Sequence, residues 1–396
     1  MHSLPVHERD FYLGDVQPIY HWLRTEAPVY WSDVAGLWVL SKYADIQRVS
    51  KQPELFCSSR GVIVNDPIRL VGGLATPPSI LHLDPPAHNR YRRIVSGAFT
   101  PRMIAALEGR IRELTHETLD AVPADDVFDF VEHVAVPLPL LVIAEMLGVP
   151  TADRGTFRRW SDELIAAADS DTPGTMNAAA GELFAYFYQM LTARRDAPQA
   201  DLISALATGV VDGDRLTDEE ILMFCLTLLV AGNETTRNLV AGGTRALMEH
   251  PDQLARLANE PALIPGAVEE MLRWVSPVRA FVRTATADTD IRGVPIPAGA
   301  TLVLLYASGN RDEEVFGETA GVFDVARPPD PSHVAFGFGE HFCLGASLAR
   351  LEARAMFEGM FARWSALETA GTVEVLASTV MNGVMRMPVR VQRRTG

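Results

Sequence analysis

Cys343 stands alone in a stretch that reads Phe336-Gly337-Phe338-Gly339-Glu340-His341-Phe342-Cys343-Leu344-Gly345. The other cysteines, Cys57 and Cys225, lie far away in sequence, so no disulfide partner is adjacent. Glycines bend the chain before it, and an amphipathic helical pattern over 344–364 follows. A helix N-terminus offers free N–H groups and positive potential, which suit an anionic sulfur. A lone thiolate, backbone donors and a flanking histidine are what a protein needs to hold haem iron from one side. A lone cysteine by itself reads as a buried structural residue. The whole pattern of glycines, histidine and cysteine asks for more than that.

Two further stretches carry chemistry. Ala231-Gly232-Asn233-Glu234-Thr235-Thr236 interrupts a helical pattern over 216–250 whose residues 221–230 are apolar all round. Glycine costs about 1 kcal/mol against alanine inside a helix. A carboxylate beside apolar surface costs more unless it is paired, and threonine can divert hydrogen bonds from the helix ladder. Three unfavourable choices in a row suggest a functional site. In Asp84-Pro85-Pro86-Ala87-His88-Asn89-Arg90-Tyr91-Arg92-Arg93, His88 and Arg92 fall four apart on one helix face. Such a pair can clamp a carboxylate, and a solvated polar face fits the same local sequence equally well.

These motifs, in their order and spacing, resemble the cytochrome P-450 superfamily over essentially the whole chain. The resemblance implies a haem monooxygenase with haem b as cofactor and Cys343 as the iron ligand. It implies that His88, Arg92, Arg283 and His341 serve the haem propionates. It assigns Thr235 and Glu234 to oxygen activation. Heterolytic cleavage of the O–O bond needs protons at the distal oxygen. A hydroxyl can relay one and a water-linked carboxylate can deliver it, while Ala231 and Gly232 would leave room for dioxygen. Glu270-Met271-Leu272-Arg273 and the segment Phe323-Asp324-Val325-Ala326-Arg327 match the family's structural motif, so Glu270, Arg273 and Arg327 are expected as a buried ionic triad. Alternatives at this point are a peroxide-using enzyme or isomerase of the same haem-thiolate type, or a haem-based ligand binder. Relatives of those kinds usually lack the Glu234–Thr235 pair.

The elements that must position these groups are mostly helical. Helical patterns cover 17–25, 43–51, the segment after Asp84-Pro85-Pro86 through about 195 with a break near 171–174, 216–250 and 269–274. The acid Asp84 is expected as an N-cap. Strands are expected at 29–31 and 37–40 around a turn, at 286–291 and 301–305, and as strand and turn over 373–391. Residues 57–83 read as a long apolar loop of the kind that is often functional. The outcome is a mainly α (α+β) single domain over 1–396. By resemblance it is the helix-rich cytochrome P-450 prism with small β-sheets, its haem between the long oxygen-side helix and the helix after the cysteine.

Composition bounds the rest. Of the 396 residues, 48% are hydrophobic, enough for a large core. The net charge of −15 argues against a nucleic-acid partner, because phosphate binding needs clustered cations. Three scattered cysteines fit a reducing compartment. The N-terminus has no signal-peptide core and the longest apolar run is too short to span a bilayer, so a cytoplasmic protein without a membrane anchor is expected, and a monomer. No electron-transfer domain is expected alongside. Electrons are therefore expected from a separate ferredoxin and an NAD(P)H-dependent ferredoxin reductase. Arg90, Arg93, Arg102, Arg350 and Arg354 form a candidate docking cluster. The segments at 61–81, 166–176, 227–231, 278–281 and 380–381 are apolar, with Thr227, Val230, Ala231, Val278, Phe281, Val380 and Met381 as pocket residues. They favour a lipophilic substrate, most simply a steroid or isoprenoid. Fatty-acid, polyketide or aromatic hydroxylation is the alternative, with Arg69 or Arg279 anchoring an acid group.

Overall fold

The helix expected over 216–250 runs Asp218–Glu249, 32 residues and about 48 Å at 1.5 Å per residue. It begins at a capping box. Thr217 accepts the N–H of Glu220, whose carboxylate accepts the N–H of Thr217. Acids at Asp218, Glu219 and Glu220 then face the positive end of the dipole. In a computed structural model that describes residues 3–72, 79–123, 127–168 and 178–394, this helix is the axle of the molecule. The Ile264–Val275 and Ala346–Arg363 helices pack against it.

A five-stranded sheet flanks the helices, in the order Val29–Ser32, Leu37–Leu40, Thr301–Leu304, Phe281–Ala285, Phe56–Cys57. The first two strands form the expected hairpin, Val29 opposite Leu40. Leu37–Leu40 then runs parallel to Thr301–Leu304, which pairs antiparallel with Phe281–Ala285. Phe281 and Arg283 lie two apart on that strand and so share a face. The region expected as one strand over 286–291 is instead a bend after this strand and then the first half of a small hairpin, Thr289–Ile291 with Val294–Ile296.

Three further expectations fail. Residues 57–83 hold a helix, Pro67–Val71, and a turn of 3-10 helix, Ile80–His82. Asp66 caps the first through the N–H of Ile68, with proline at its start and a left-handed Gly72 at its end. At five residues it is too short to show periodicity. Asp84 does not cap the Ala87–Ser96 helix. Its carboxylate accepts the N–H groups of Ser58 at 2.7 Å and Ser59 at 3.1 Å, closing the base of that loop. Val127–Asp129 is a strand inside the region read as helix. It pairs with Pro388–Arg393, a partner no local pattern reveals. Of the expected pocket segments, 73–78 and 169–176 lie outside the described residues.

Candidate active site

Cys343 sits between the loop's glycine turns and the Ala346–Arg363 helix. Its N–H donates to the carbonyl of Phe336 at 2.9 Å, closing the loop on itself. Gly337 and Gly339 both take a φ of +71°, a left-handed conformation that glycine adopts without strain. At Gly339 a side chain would also strike the backbone, since a Cβ would lie 2.2 Å from the carbonyl oxygen of Ser50. The reason for glycine here is therefore contact with the Tyr43–Ser50 helix. Burial pushes the Cys343 thiol up, while the N–H of Gly345 and the charges of Arg92 and Arg350 pull against it.

Four groups from three regions converge next to this loop. His88 and His341 stack with centroids 4.1 Å apart. His341 bonds Ser58 Oγ through Nε2 at 3.2 Å. Burial and the charge of Arg283 drive its imidazole down to about 2, so it is neutral at physiological pH. Burial lowers His88 as well, and its Nε2 is buried without a partner among the described residues. Arg92 donates to the carbonyl of Phe342 at 2.6 Å. Arg283 is buried, and among the described residues its guanidinium bonds only the carbonyl of Val282, at 2.8 Å. Burial lowers both arginines. A buried cation without a counter-ion is costly. Together with the orphaned His88 Nε2, this donor set fits a group that brings its own carboxylates, as the two propionates of haem do.

The long helix carries the second set. Thr235 donates its hydroxyl to the carbonyl of Ala231 at 2.7 Å, the backward bond that loosens a helix. Glu234 pairs with Arg237 on the next turn at 3.3 Å. Val230 and Ala231 are accessible in a helix otherwise well buried. Gly232 departs from the expected role. A Cβ there would lie 3.0 Å from Ile143 Cδ1, so its missing side chain admits the Pro137–Leu147 helix and leaves only Ala231 facing open space. Asn233 ties the helix to Ser161 at 3.0 Å. Thr227 turns its hydroxyl back to the carbonyl of Met223 at 2.7 Å and presents its methyl group.

Residues a hundred positions apart build one wall. Val278 and Met381 form an antiparallel bridge, and the N–H of Arg279 donates to the carbonyl of Val380 at 2.6 Å. Phe281 follows on the same strand, its ring 6.2 Å from that of Tyr306. Arg279 is engaged through both terminal nitrogens, while its Nε has no partner among the described residues. It is buried, lies 4.3 Å over the ring of Tyr12 and bonds Tyr20 and Asn382. Arg69 is likewise engaged, by the carbonyl of Val64.

Glu270 and Arg273 form a bidentate pair at 2.7 and 2.8 Å, and Arg327 reaches Glu270 at 3.0 Å. The remaining donors of Arg273 bond the carbonyls of Asn310, Ala320 and Val322. Asn310 is a residue sequence reasoning missed. Fully buried, it accepts the N–H of Val334 at 2.7 Å and donates to Ser276, so it links the triad to the foot of the cysteine loop. Lying among Ser308, Arg311 and Asp312, it stands out by no local pattern.

The expected cationic docking cluster is not one. Arg90 pairs with Glu220, Arg93 with Asp212, Arg350 with Glu269 and Arg354 with Glu108. Of the five only Arg102 makes no ion pair among the described residues. No described helix is long and apolar enough to cross a membrane.

Comparison with known proteins places this geometry in a class. A family model for Cytochrome P450 matches residues 174–392, and the chain belongs to that family. It is 38% identical over 388 residues to a steroid C26-monooxygenase of Mycobacterium tuberculosis, covering 96% of this chain and 95% of the relative. It is 39% identical to a vitamin D(3) 25-hydroxylase of Pseudonocardia autotrophica, covering 96% of this chain and 94% of that one. Among solved structures it resembles CYP109E1 of Bacillus megaterium in complex with testosterone, with a TM-score of 0.85, 35% identity and coverage of 95% and 99%. The protein is thus a haem b monooxygenase with the cytochrome P450 fold, acting with O2 and a redox partner on lipophilic molecules.

Proposed function

We propose that the protein hydroxylates a steroid or isoprenoid lipid, with Cys343 as the haem-iron ligand. The observation that carries the assignment is the cluster of His88, Arg92, Arg283 and His341. It lies against the cysteine loop and holds more buried donors than the described residues answer. Those four residues would hold the propionates, and Cys343 would hold the iron. The bound haem supplies activation of dioxygen, one atom of which enters the substrate while the other leaves as water.

The chain's own residues then have defined tasks. Thr235 keeps its hydroxyl on the Ala231 carbonyl and must turn outward to pass a proton. Glu234 carries the proton from the solvent side, and Arg237 holds it in place until it moves. Val278, Phe281, Val380 and Met381 form an apolar wall that excludes water from the open face of Val230 and Ala231. With Arg279 and Arg69 engaged elsewhere, recognition rests on burial of hydrocarbon. At about 25 cal/mol per Å² this suffices for micromolar binding of a steroid-sized skeleton. The names of the steroid and vitamin D relatives support the same substrate class. Electrons come from a ferredoxin and its NAD(P)H-dependent reductase. The exposed Phe342 offers that partner an apolar contact among arginines already paired. The protein works as a cytoplasmic monomer.

Two measurements test this reading. Cys343→Ala should abolish the thiolate-type, red-shifted Soret band of the reduced carbon-monoxide complex. Optical titration of the wild type should give a saturable high-spin shift with sterols or terpenoids. A shift with charged aromatic acids alone would overturn the substrate class.

A further inference from the structure

Glu269 precedes Glu270 on the Ile264–Val275 helix, so the two carboxylates leave it about 100° apart. Glu270 turns to the triad. Glu269 turns to the cysteine loop, where the sequence marked no partner. Arg350, seven residues after Cys343 on the Ala346–Arg363 helix, donates Nε and Nη2 to Glu269 at 2.6 and 2.8 Å. Its guanidinium carbon also lies 4.6 Å from the ring centroid of Phe336. His333 completes the group. Its Nε2 lies 3.3 Å from Glu269 Oε2, off the line of a well-formed hydrogen bond. Its Nδ1 accepts the N–H of Ala335 at 3.2 Å, which leaves the proton on Nε2, towards the carboxylate. The His333 and Phe336 rings are 5.7 Å apart. Phe336 is thus held between a guanidinium and an imidazole that share one carboxylate, and its carbonyl is the acceptor for the N–H of Cys343.

We propose that Glu269, Arg350 and His333 form a second ionic clamp that positions Phe336, and through it Cys343, and that the charge of Arg350 raises the reduction potential of the iron held there. The inference rests on Cys343 being that iron's ligand. Bidentate arginine–carboxylate pairs fix geometry as well as adding energy. Cation–π contact with Phe336 gives the guanidinium a defined place over the loop. Arg350 and Glu269 are 38% and 26% exposed, so the pair adds little to global stability. Its effect falls instead on the loop, where the Phe336 carbonyl accepts the Cys343 N–H. All three are positioning residues, since none of them touches the cysteine sulfur by a hydrogen bond.

The test uses the haem-loaded protein and four chains: wild type, Arg350→Met, Arg350→Lys and Glu269→Gln. Two readouts are taken. One is the one-electron potential by spectroelectrochemistry. The other is the lifetime, in mild urea, of the thiolate-type Soret band of the reduced carbon-monoxide complex. Reduction adds negative charge near Arg350, so Arg350→Met should lower the potential and shorten the lifetime. Arg350→Lys keeps the charge and loses the fork. It should restore the potential and leave the lifetime short. Glu269→Gln removes the neutralising carboxylate and should raise the potential while shortening the lifetime. Shifts of opposite sign from two members of one pair are what loosened packing alone would not give. Wild-type potentials and lifetimes in all three variants would overturn the clamp. A wild type without the thiolate-type band would overturn the Cys343 assignment and the clamp with it.

Discussion

Two arginine clusters flank the cysteine loop and are built in opposite ways. In the triad, Glu270 accepts four hydrogen bonds, two from Arg273, one from Arg327 and one from the N–H of Asp324, with Arg273's other donors spent on carbonyls. Around His88 and Arg283 the donors are as deeply buried, yet no carboxylate among the described residues answers them. Satisfied charge is architecture, and it fixes one arrangement of the chain. Unsatisfied charge is a stored cost that something brought from outside must repay. The same residue type, at similar burial, takes opposite parts because of what surrounds it.

The contrast can be broken by substitution. The largest effect should come from Arg273→Met, which halves the bonds to buried Glu270 and strips the Asn310 and Ala320 carbonyls of their arginine donor. We expect a loss of about 3–5 kcal/mol in urea unfolding, the same with or without haem. Arg283→Met should do the reverse. It removes a buried cation with no partner, so the haem-free protein should gain about 1–3 kcal/mol while haem is lost faster to a competing acceptor. Destabilisation of the haem-free protein by this variant would erase the distinction between the clusters.

A third case sharpens it. Glu352 is buried in the cysteine helix, its Oε2 has no partner, and burial raises its carboxyl well above the usual range. The fold holds its proton more tightly than the unfolded chain does, so folding loses stability as pH rises above the ordinary carboxylate value. Glu352→Gln should therefore raise Tm at pH 8 and leave it unchanged at pH 4. The smallest effect belongs to Glu269, which the salt link to Arg350 and His333 holds down to about 2. Its contribution is complete above pH 4.5 and is lost as pH falls through about 2. The stability difference between wild type and Glu269→Gln should be flat above pH 5 and shrink below it.

These cases also mark what the sequence could reveal. The long helix, the cysteine loop and Glu-x-x-Arg are legible because their signals are local: periodicity, glycine, and fixed spacing. The partner of Asp84 was not, because an acid before two prolines looks like a cap until the folded chain brings Ser58 to it. Gly232 looked like space for a ligand until Ile143 filled it. The docking arginines looked free because their carboxylates come from other helices, as Glu220 does for Arg90, 130 positions away. Asn310 and Glu269 gave no signal, since one buried amide and one glutamate among many carry no pattern. Spacing reports chemistry within an element. It is silent on which charges the fold will neutralise.

The bridge between Val278 and Met381 has a consequence in time. Synthesis runs from the N-terminus at about 5–20 residues per second, so the strand bearing Phe281 and Arg283 waits about 5–20 s for the turn that covers it. During that interval the propionate cluster's strand is made and the substrate wall is not. Once His341 and Cys343 have followed, the haem-holding residues named above are made while the covering turn is not, and we expect cofactor loading to be easiest then. Released chains truncated near residue 370, which keep His341 and Cys343 and lack the covering turn, should accept haem faster than the whole chain and release it faster too.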